Sequence, residues 1–383
     1  MTTAQPEPGG SLLDKIGWKE VAQSLVGFAI AIVLLVYGLP WIAGTTWPQI
    51  GEQMKMVGVG PALLMAGLLI TGLYCYTYTL IATLPGLTHL RALMVNAAGS
   101  MVSNILPGGG AVGVAMTYMM FRSWGFSRRN ISTAIVVGSI WNLLARLILP
   151  IIGALVVVVG AVAAPNALVV AAFVAAGVGI MLVGFFVAVI SSERFAADVG
   201  SVLKRAVSPL TGRFPSLTNV DTLIADQRAR THLVVSEGWV RLTLGLVGMF
   251  GFFFILYVVA SRSVGLDLAI AELLAAYTFR QFLTVVAITP GGLGVTEVGT
   301  AGILVAFGGD PTAASAAALL YAVFTHLLEV PLGLAAWAGW WFGPRHKTAA
   351  GQMDNNLEDP PTASDEATDG PKKSSQANDP LDE

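Results

Sequence analysis

The chain is short of charge and almost free of cysteine. Only 11% of its 383 residues are charged, whereas soluble domains carry about a quarter. The single cysteine, Cys75, excludes a disulfide framework and a cysteine-based metal cluster. The four histidines are scattered, with no HExxH or similar pair. With 55% hydrophobic residues and a mean hydropathy of +0.72, the composition indicates a polytopic membrane protein without a metal site.

Six apolar stretches have the length of about 20 residues that a bilayer-spanning helix needs. The first is too long for the apolar core of a signal peptide, so we expect an uncleaved first helix. The predicted spans are 21–43, 57–83, 131–160, 166–190, 242–261 and 312–342.

Two further apolar stretches, 92–120 and 268–308, are each interrupted by a Pro-Gly-Gly element. The first reads LPGGGAVGV from Leu106 and the second reads TPGGLGVTEVG from Thr289. Non-helical backbone at membrane depth persists only where it is buried in protein or lines a cavity. We therefore predict an all-α polytopic membrane protein with about six full spans and two PGG-broken re-entrant hairpins.

Lysine and arginine give this map an orientation, because cytoplasmic loops carry an excess of them. If each hairpin returns to the side it entered, most basic residues fall on one face, including seven in the segment 191–241. We expect this face, and both chain termini, to be cytoplasmic, in a multi-pass protein of the cell membrane. The segment 191–241 is expected to be either a loop with an amphipathic helix near the lipid headgroups or an ordinary solvated loop.

The composition also predicts how the chain is divided. Both ends are polar and lack the apolar content to fold. The predicted units are a disordered N-terminus (1–14), a membrane domain (15–347) and a disordered acidic tail (348–383). Within the membrane domain the predicted parts are a first repeat (about 57–190), a cytoplasmic loop (191–241) and a second repeat (about 242–342).

The two PGG elements suggest an internal duplication. Pro107 and Pro290 lie 183 residues apart, and the helix prolines Pro150 and Pro331 lie 181 apart. The orientation places the two hairpins on opposite sides, so the repeats are predicted to be inverted. Inverted repeats with broken helices that meet near the midplane are an architecture of many transporters, and half-helix N-termini attract anionic groups.

Ionisable side chains within a membrane are costly and are functional candidates by default. Arg280 shares a helix face with Tyr277, Gln281 and Thr284. It needs an anion, which could be Glu297, Glu329 or a lipid phosphate. A planar guanidinium matches a phosphate well, because it donates two parallel hydrogen bonds.

These arguments give three sets of candidate residues. The predicted headgroup-binding set is Arg280, Gln281, Thr284, Pro290, Gly291, Gly292, Gly294 and Glu297. The predicted coupling or structural set is His326, Glu329, Arg146, Asn142 and Asn104. The first-repeat break is Pro107, Gly108, Gly109 and Gly110.

Each assignment has a simpler structural alternative. The PGG elements could be turns or tight helix packing. Arg280 could form a structural ion pair with Glu297 or Glu329, and this role can coexist with headgroup contact. His326 could pack or hydrogen-bond rather than carry a proton.

The segment PGGLGVTE (Pro290 to Glu297), the earlier PGG hairpin and the surrounding spans resemble the lysylphosphatidylglycerol synthase transmembrane region family, also called the flippase-like domain family. The resemblance covers roughly residues 15–345. In two-part members a membrane region precedes a soluble aminoacyltransferase domain, for which this chain shows no counterpart. The resemblance therefore implies lipid translocation or handling rather than aminoacyl transfer. The first-half element, PGGGAVGV, has no acid at the position that matches Glu297, so the two halves need not act alike.

The expected function is a lipid flippase or transporter that moves a phospholipid or a lipid-linked envelope precursor across the cytoplasmic membrane. The alternatives are a small-solute or ion secondary transporter and a non-catalytic partner in envelope lipid or glycan synthesis. An embedded lipid transferase is disfavoured because the chain has no DxD or HxxxxD motif. We expect no enzymatic activity, no catalytic residue, no cofactor and no nucleic-acid partner. The expected partners are membrane lipids, and an envelope-synthesis enzyme is a further candidate partner.

Overall fold

The computed structural model describes residues 18–105, 109–161, 165–207, 220–285 and 289–343, and every regular element within these ranges is helical. The expected polytopic all-α architecture is confirmed. The predicted disordered segments 1–14 and 348–383 lie outside the described residues. Pro107 and Gly108 of the first break also lie outside them.

Fourteen α-helices occupy the described ranges. They are α1 (Trp18–Val33), α2 (Leu39–Ala43), α3 (Trp47–Lys55), α4 (Val59–Thr83), α5 (His89–Ile105), α6 (Gly109–Ser123), α7 (Arg128–Val156), α8 (Asn166–Ser191), α9 (Glu193–Val207), α10 (Val220–Ser263), α11 (Ile270–Leu283), α12 (Val295–Ala306), α13 (Pro311–Ala322) and α14 (Glu329–Phe342). Short π-helical turns join α1 to α2, extend α7 and join α13 to α14, and a 3₁₀ turn, Pro290–Gly292, precedes α12.

Six helical segments are long and apolar enough to cross a membrane, as predicted. They are Leu25–Ala43, Val59–Thr83, Arg128–Val159, Asn166–Val189, Ala229–Ser263 and Pro311–Phe342. Each lies within a few residues of its predicted span except the fifth, which begins earlier than the predicted 242.

Helix α10 accounts for this difference. Its 44 residues give a length of about 66 Å, which is more than twice the hydrocarbon thickness of about 30 Å. The apolar pattern marked only the part after residue 241, but the helix begins at Val220. Together with α9, it makes much of the segment 191–241 helical. Whether α9 lies against headgroups stays a prediction.

Local caps fix where several helices begin. The Ser127 hydroxyl accepts a hydrogen bond from the Asn130 N–H at 3.2 Å and starts α7. The Asp310 carboxylate accepts one from the Ala313 N–H at 2.8 Å, and Pro311 occupies the first turn of α13. Such caps satisfy N–H groups that the helix itself leaves unpaired.

The helices on either side of each break pack against each other. Gly99 of α5 faces Thr117 of α6, and a Cβ on Gly113 of α6 would come within 2.9 Å of the Gly99 carbonyl oxygen. Helices α5 and α6 therefore form an antiparallel pair. Helix α12 contacts α11 where Gly299 meets Leu283. That these pairs re-enter the membrane from one side stays a prediction.

Helices α4 and α10, the spans that precede the two hairpins, pack on each other through small residues. A Cβ on Gly72 of α4 would come within 2.5 Å of the Phe253 ring of α10. A Cβ on Gly245 of α10 would come within 2.8 Å of the Thr79 backbone nitrogen of α4. Each of the two helices thus contributes a glycine against which a residue of the other helix packs.

A similar reciprocal contact joins each hairpin to a helix of the other half. Helix α7 of the first half meets α11 of the second, where Gly153 leaves no space for a Cβ beside Thr278. Helix α14 of the second half meets α5 of the first, where a Cβ on Gly333 would approach the Ala97 carbonyl oxygen to 2.6 Å. This pattern is what a two-fold duplication would produce, and the inverted repeat itself stays a prediction.

Candidate functional site

The second break is a tight turn built on glycine. Gly291 has φ +62° and Gly294 has φ +84°, in a region that side chains with a Cβ rarely adopt. The Gly292 N–H donates to the Thr289 carbonyl at 2.9 Å. A Cβ on Gly294 would come within 2.8 Å of the Ala31 carbonyl oxygen, so α1 covers the break closely.

Glu297 lies in the first turn of α12 and is 1% exposed. Its Oε2 accepts the Gly294 N–H at 2.6 Å, and its Oε1 accepts the Thr296 hydroxyl at 2.8 Å. Its Oε1 also lies 3.5 Å from Nη2 of Arg280, which is 3% exposed. The carboxylate therefore caps its own helix and neutralises the arginine of α11.

Aromatic rings form the surroundings of Arg280. Its guanidinium carbon lies 4.4 Å from the centroid of the Tyr321 ring, a favourable cation–π distance. Tyr257 and Tyr277 pack against Tyr321, with ring centroids 5.4 and 6.4 Å from it. Although Arg280 has its ion pair, its Nε and Nη2 have no hydrogen-bond acceptor among the described residues.

A second arginine, Arg146 of α7, faces the same region with a different set of partners. Its Nε donates to Asn142 Oδ1 at 2.9 Å, and its Nη1 donates to Gln281 Oε1 at 3.4 Å and to the Thr284 hydroxyl. The polar face predicted on α11 thus exists, and it binds a cation from the first half.

The two broken regions meet in the structure. Asn104, near the end of α5, donates from Nδ2 to Glu329 Oε2 at 3.4 Å. A Cβ on Gly291 would lie 3.0 Å from Asn104 Oδ1. The imidazole of His326 lies beside the same glycine, with Nε2 3.3 Å from its carbonyl oxygen. Residues predicted separately in the two halves therefore adjoin one another.

A polar cavity of about 250 Å³ lies between these groups. The predicted residues that line it are Asn104, Asn142, Arg146, Arg280, Gln281, Thr284, His326 and Glu329. Glu297 supports Arg280 from outside this lining. A second cavity of about 280 Å³ adjoins the 250 Å³ cavity and is lined in part by Gly110. The residues that line both cavities include Tyr76, Asn96, Ser100 and Asn104. The second cavity extends between α5 and α6 towards Thr83, the last residue of α4.

An apolar groove of about 580 Å³ runs along α4, α5 and α14. Ile70 and Leu90, which line it, are 48% and 68% exposed, so the groove opens on the outer surface of the bundle. Arg91 lines it near the start of α5, with its guanidinium carbon 5.2 Å from the Trp124 ring centroid. Leu73 lines both the groove and the 250 Å³ cavity.

Sequence reasoning named Asn104 of α5 but missed Asn96 and Ser100 on the same helix. Asn96, Ser100 and Asn104 are four residues apart and all line the cavity. That spacing puts them on one helix face, and a polar stripe on an otherwise apolar helix was a readable signal. Tyr76 on α4 also lines the cavity, but it had no such signal.

These observations define an all-helical, multi-pass membrane protein in which broken helices enclose a polar cavity. The family model described as the lysylphosphatidylglycerol synthase TM region matches residues 24–333, and the chain belongs to this family. The match includes both breaks and every cavity residue named above. No curated protein matches the chain in a sequence search.

Proposed function

We propose that the protein transports a lipid across its membrane, carrying the headgroup through the polar cavity while the acyl chains stay in the apolar groove. The observation that supports this is the two-sided character of α5. Its Asn96, Ser100 and Asn104 line the polar cavity, whereas its Leu93 and Ala97 line the groove. A polar headgroup and its apolar tails require two such paths side by side.

The two paths also run in the same direction. From the cavity beside Arg280, the polar path continues between α5 and α6 to Thr83. The groove runs from Leu73 to Arg91 and Gly343. Both therefore lead from the middle of the bundle to the end at which α4 stops and α5 begins, which the positive-inside argument predicts to be cytoplasmic.

The groove favours a lipid over a small solute, because a solute carrier has no need of a surface-open apolar channel beside its polar site. The proposal involves no chemical step on the lipid. We propose a phospholipid or a lipid-linked envelope precursor as the transported lipid. We also propose that the protein lies in the cell membrane with both termini cytoplasmic. An envelope-synthesis enzyme would be a partner that supplies or consumes this lipid.

The test is translocation of headgroup-labelled lipids in proteoliposomes, measured for a variant in which a bulky side chain from α14 fills the groove. Ala336 lines the groove on α14, whereas Leu334 on the same helix is 50% exposed and lies outside its lining. We expect Ala336→Trp to slow lipid movement strongly and Leu334→Trp to leave it close to wild type. Equal transport by folded Ala336→Trp, or movement of a water-soluble headgroup analogue alone, would contradict the lipid pathway.

A further inference from the structure

Of the two arginines in the cavity, Arg146 is the one without an anionic partner. Its hydrogen-bond acceptors, Asn142, Gln281 and Thr284, are all neutral. No described carboxylate lies within ion-pair distance of it. Its Nη2 donates to no acceptor in the described ranges, and its side chain lines the 250 Å³ cavity.

The contrast with Arg280 is one of charge balance. Arg280 is 3% exposed and has Glu297 at 3.5 Å, and Glu297 is itself fixed by the Gly294 N–H and the Thr296 hydroxyl. An anionic ligand at Arg280 would have to share the arginine with Glu297. Arg146 needs to break no ion pair.

The other carboxyl group of the cavity, that of Glu329, forms no ion pair with Arg146 within 4.0 Å. Glu329 lines the same cavity, but its Oε2 accepts a hydrogen bond from Asn104 on α5. Arg146 is held on α7 and against α11. The two side chains are thus held by different helices around the cavity.

An uncompensated charge at membrane depth is costly, and such residues mark the paths of polar substrates. A guanidinium presents five N–H donors in a planar fork that suits the oxygens of a phosphate. The neutral acceptors of Arg146 occupy Nε and Nη1 and so fix the orientation of the guanidinium. Nη2 has no acceptor among the described residues and is free to donate to a ligand oxygen.

We propose that Arg146 is the residue that binds the phosphate group of the transported substrate, whereas Arg280 and Glu297 form the structural ion pair that supports it. This inference rests on the proposed function for the source of the phosphate, a lipid headgroup. The same chemistry would bind free inorganic phosphate, so the experiment must separate the two sources.

The experiment measures equilibrium binding of three probes to the purified full chain in detergent. The probes are short-chain phosphatidylglycerol, diacylglycerol with the same tails, and inorganic phosphate. We expect Arg146→Gln to weaken phosphatidylglycerol binding by about tenfold or more, because a charge-assisted hydrogen bond is lost. Diacylglycerol binding should not change. Lys55→Gln is the matched control, since it removes one positive charge from a side chain that is 73% exposed.

Melting temperature shows whether each variant is folded. If Arg146→Gln does not fold, Arg146→Lys decides, because it keeps the charge and loses the fork. We expect it to weaken phosphatidylglycerol binding about threefold or more. Unchanged phosphatidylglycerol affinity in a folded Arg146→Gln protein, or in Arg146→Lys where Gln does not fold, would overturn the inference.

Two results separate this inference from the proposed function. Phosphatidylglycerol binding that depends on Arg146, without any translocation in proteoliposomes, would support the phosphate site and contradict lipid transport. Inorganic phosphate that binds as tightly as the lipid, and only when Arg146 is present, would support the site and identify free phosphate as the ligand.

Discussion

Asn104 of the first broken region lies directly against Gly291 of the second, so closely that a Cβ on the glycine would come within 3.0 Å of the asparagine Oδ1. Gly291 also has φ +62°. The end of α5 and the second break are therefore fitted to each other, with the backbone of one half against a side chain of the other. This relationship makes Gly291 sensitive to any added side chain.

We expect Gly291→Ala to lower the free energy of unfolding by about 1–2 kcal/mol from the left-handed backbone alone, and by more because its methyl group meets Asn104. The measurement is thermal unfolding in detergent. Gly67 of α4 provides the control, since a Cβ there meets nothing within 4 Å. Gly67→Ala should be neutral or stabilising, as expected for glycine in a helix interior. Equal melting of the two variants would contradict the close contact between Asn104 and Gly291.

Membrane topology is readable from sequence because each span needs about 20 apolar residues and each break needs residues that cannot continue a helix. The six spans and the position of the second break followed from those requirements alone. The start of α10 did not, because residues 220–241 include six charged side chains, which interrupt the hydropathy signal although the helix continues through them.

The composition of the site was predictable in part for a similar reason. Arg280, Glu297 and Glu329 stood out as ionisable residues within apolar segments. Sequence left open which carboxylate pairs with Arg280. The choice of Glu297 depends on the turn at Gly294, whose N–H orients the carboxylate. Such a tertiary arrangement cannot be read from spacing.

The contact between α7 and α11 gives a second prediction. A Cβ on Gly153 would collide with the Thr278 hydroxyl. If that hydroxyl were removed, the Thr278 Cβ would lie 3.2 Å away. We expect Gly153→Ala to destabilise the protein and Thr278→Ala in the same chain to restore much of the loss. The measurement is a double-mutant cycle of melting temperatures.

The equivalent contact between α14 and α5 should behave differently. A Cβ on Gly333 would meet the Met101 side chain and would approach the backbone oxygen of Ala97 to 2.6 Å. No side-chain change can remove the contact with the backbone oxygen. Gly333→Ala should therefore remain destabilising when Met101→Ala is added. If Met101→Ala restored the stability of Gly333→Ala, the backbone contact in the α14–α5 interface would be contradicted. If Thr278→Ala failed to restore the stability of Gly153→Ala, the side-chain contact in the α7–α11 interface would be contradicted.

A third prediction concerns the buried ion pair. Glu297→Gln leaves Arg280 without its anion at 3% exposure, and breaking a buried pair in this way costs about 3–5 kcal/mol. We expect lower accumulation in the membrane and a lower melting temperature. The double variant Arg280→Gln/Glu297→Gln should recover part of the loss, because no uncompensated charge remains.

The control for this experiment is Glu52→Gln, whose partner is Lys55 at 2.7 Å in a pair with both side chains 73% exposed. Exposed pairs of this kind contribute about 0–1 kcal/mol. If Glu297→Gln melts like Glu52→Gln, the ion pair is not structural. Arg280 would then become the better candidate for the phosphate-binding residue.

The last prediction follows from the placement of Glu329 in the cavity with Arg146. Its carboxylate is 8% exposed and accepts a hydrogen bond from Asn104, a bond that a glutamine amide oxygen can also accept. In its ionised form Glu329 would place a like charge in a cavity proposed to bind phosphate, and Glu329→Gln removes that charge. Phosphatidylglycerol should therefore bind about threefold or more tightly to the variant, because like charges repel strongly where the dielectric constant is low. The same substitution at the exposed Glu52 should leave the affinity unchanged. Weaker binding to folded Glu329→Gln would instead mean that the carboxylate contacts a positively charged part of the substrate, so that the cavity recognises a headgroup with charges of both signs.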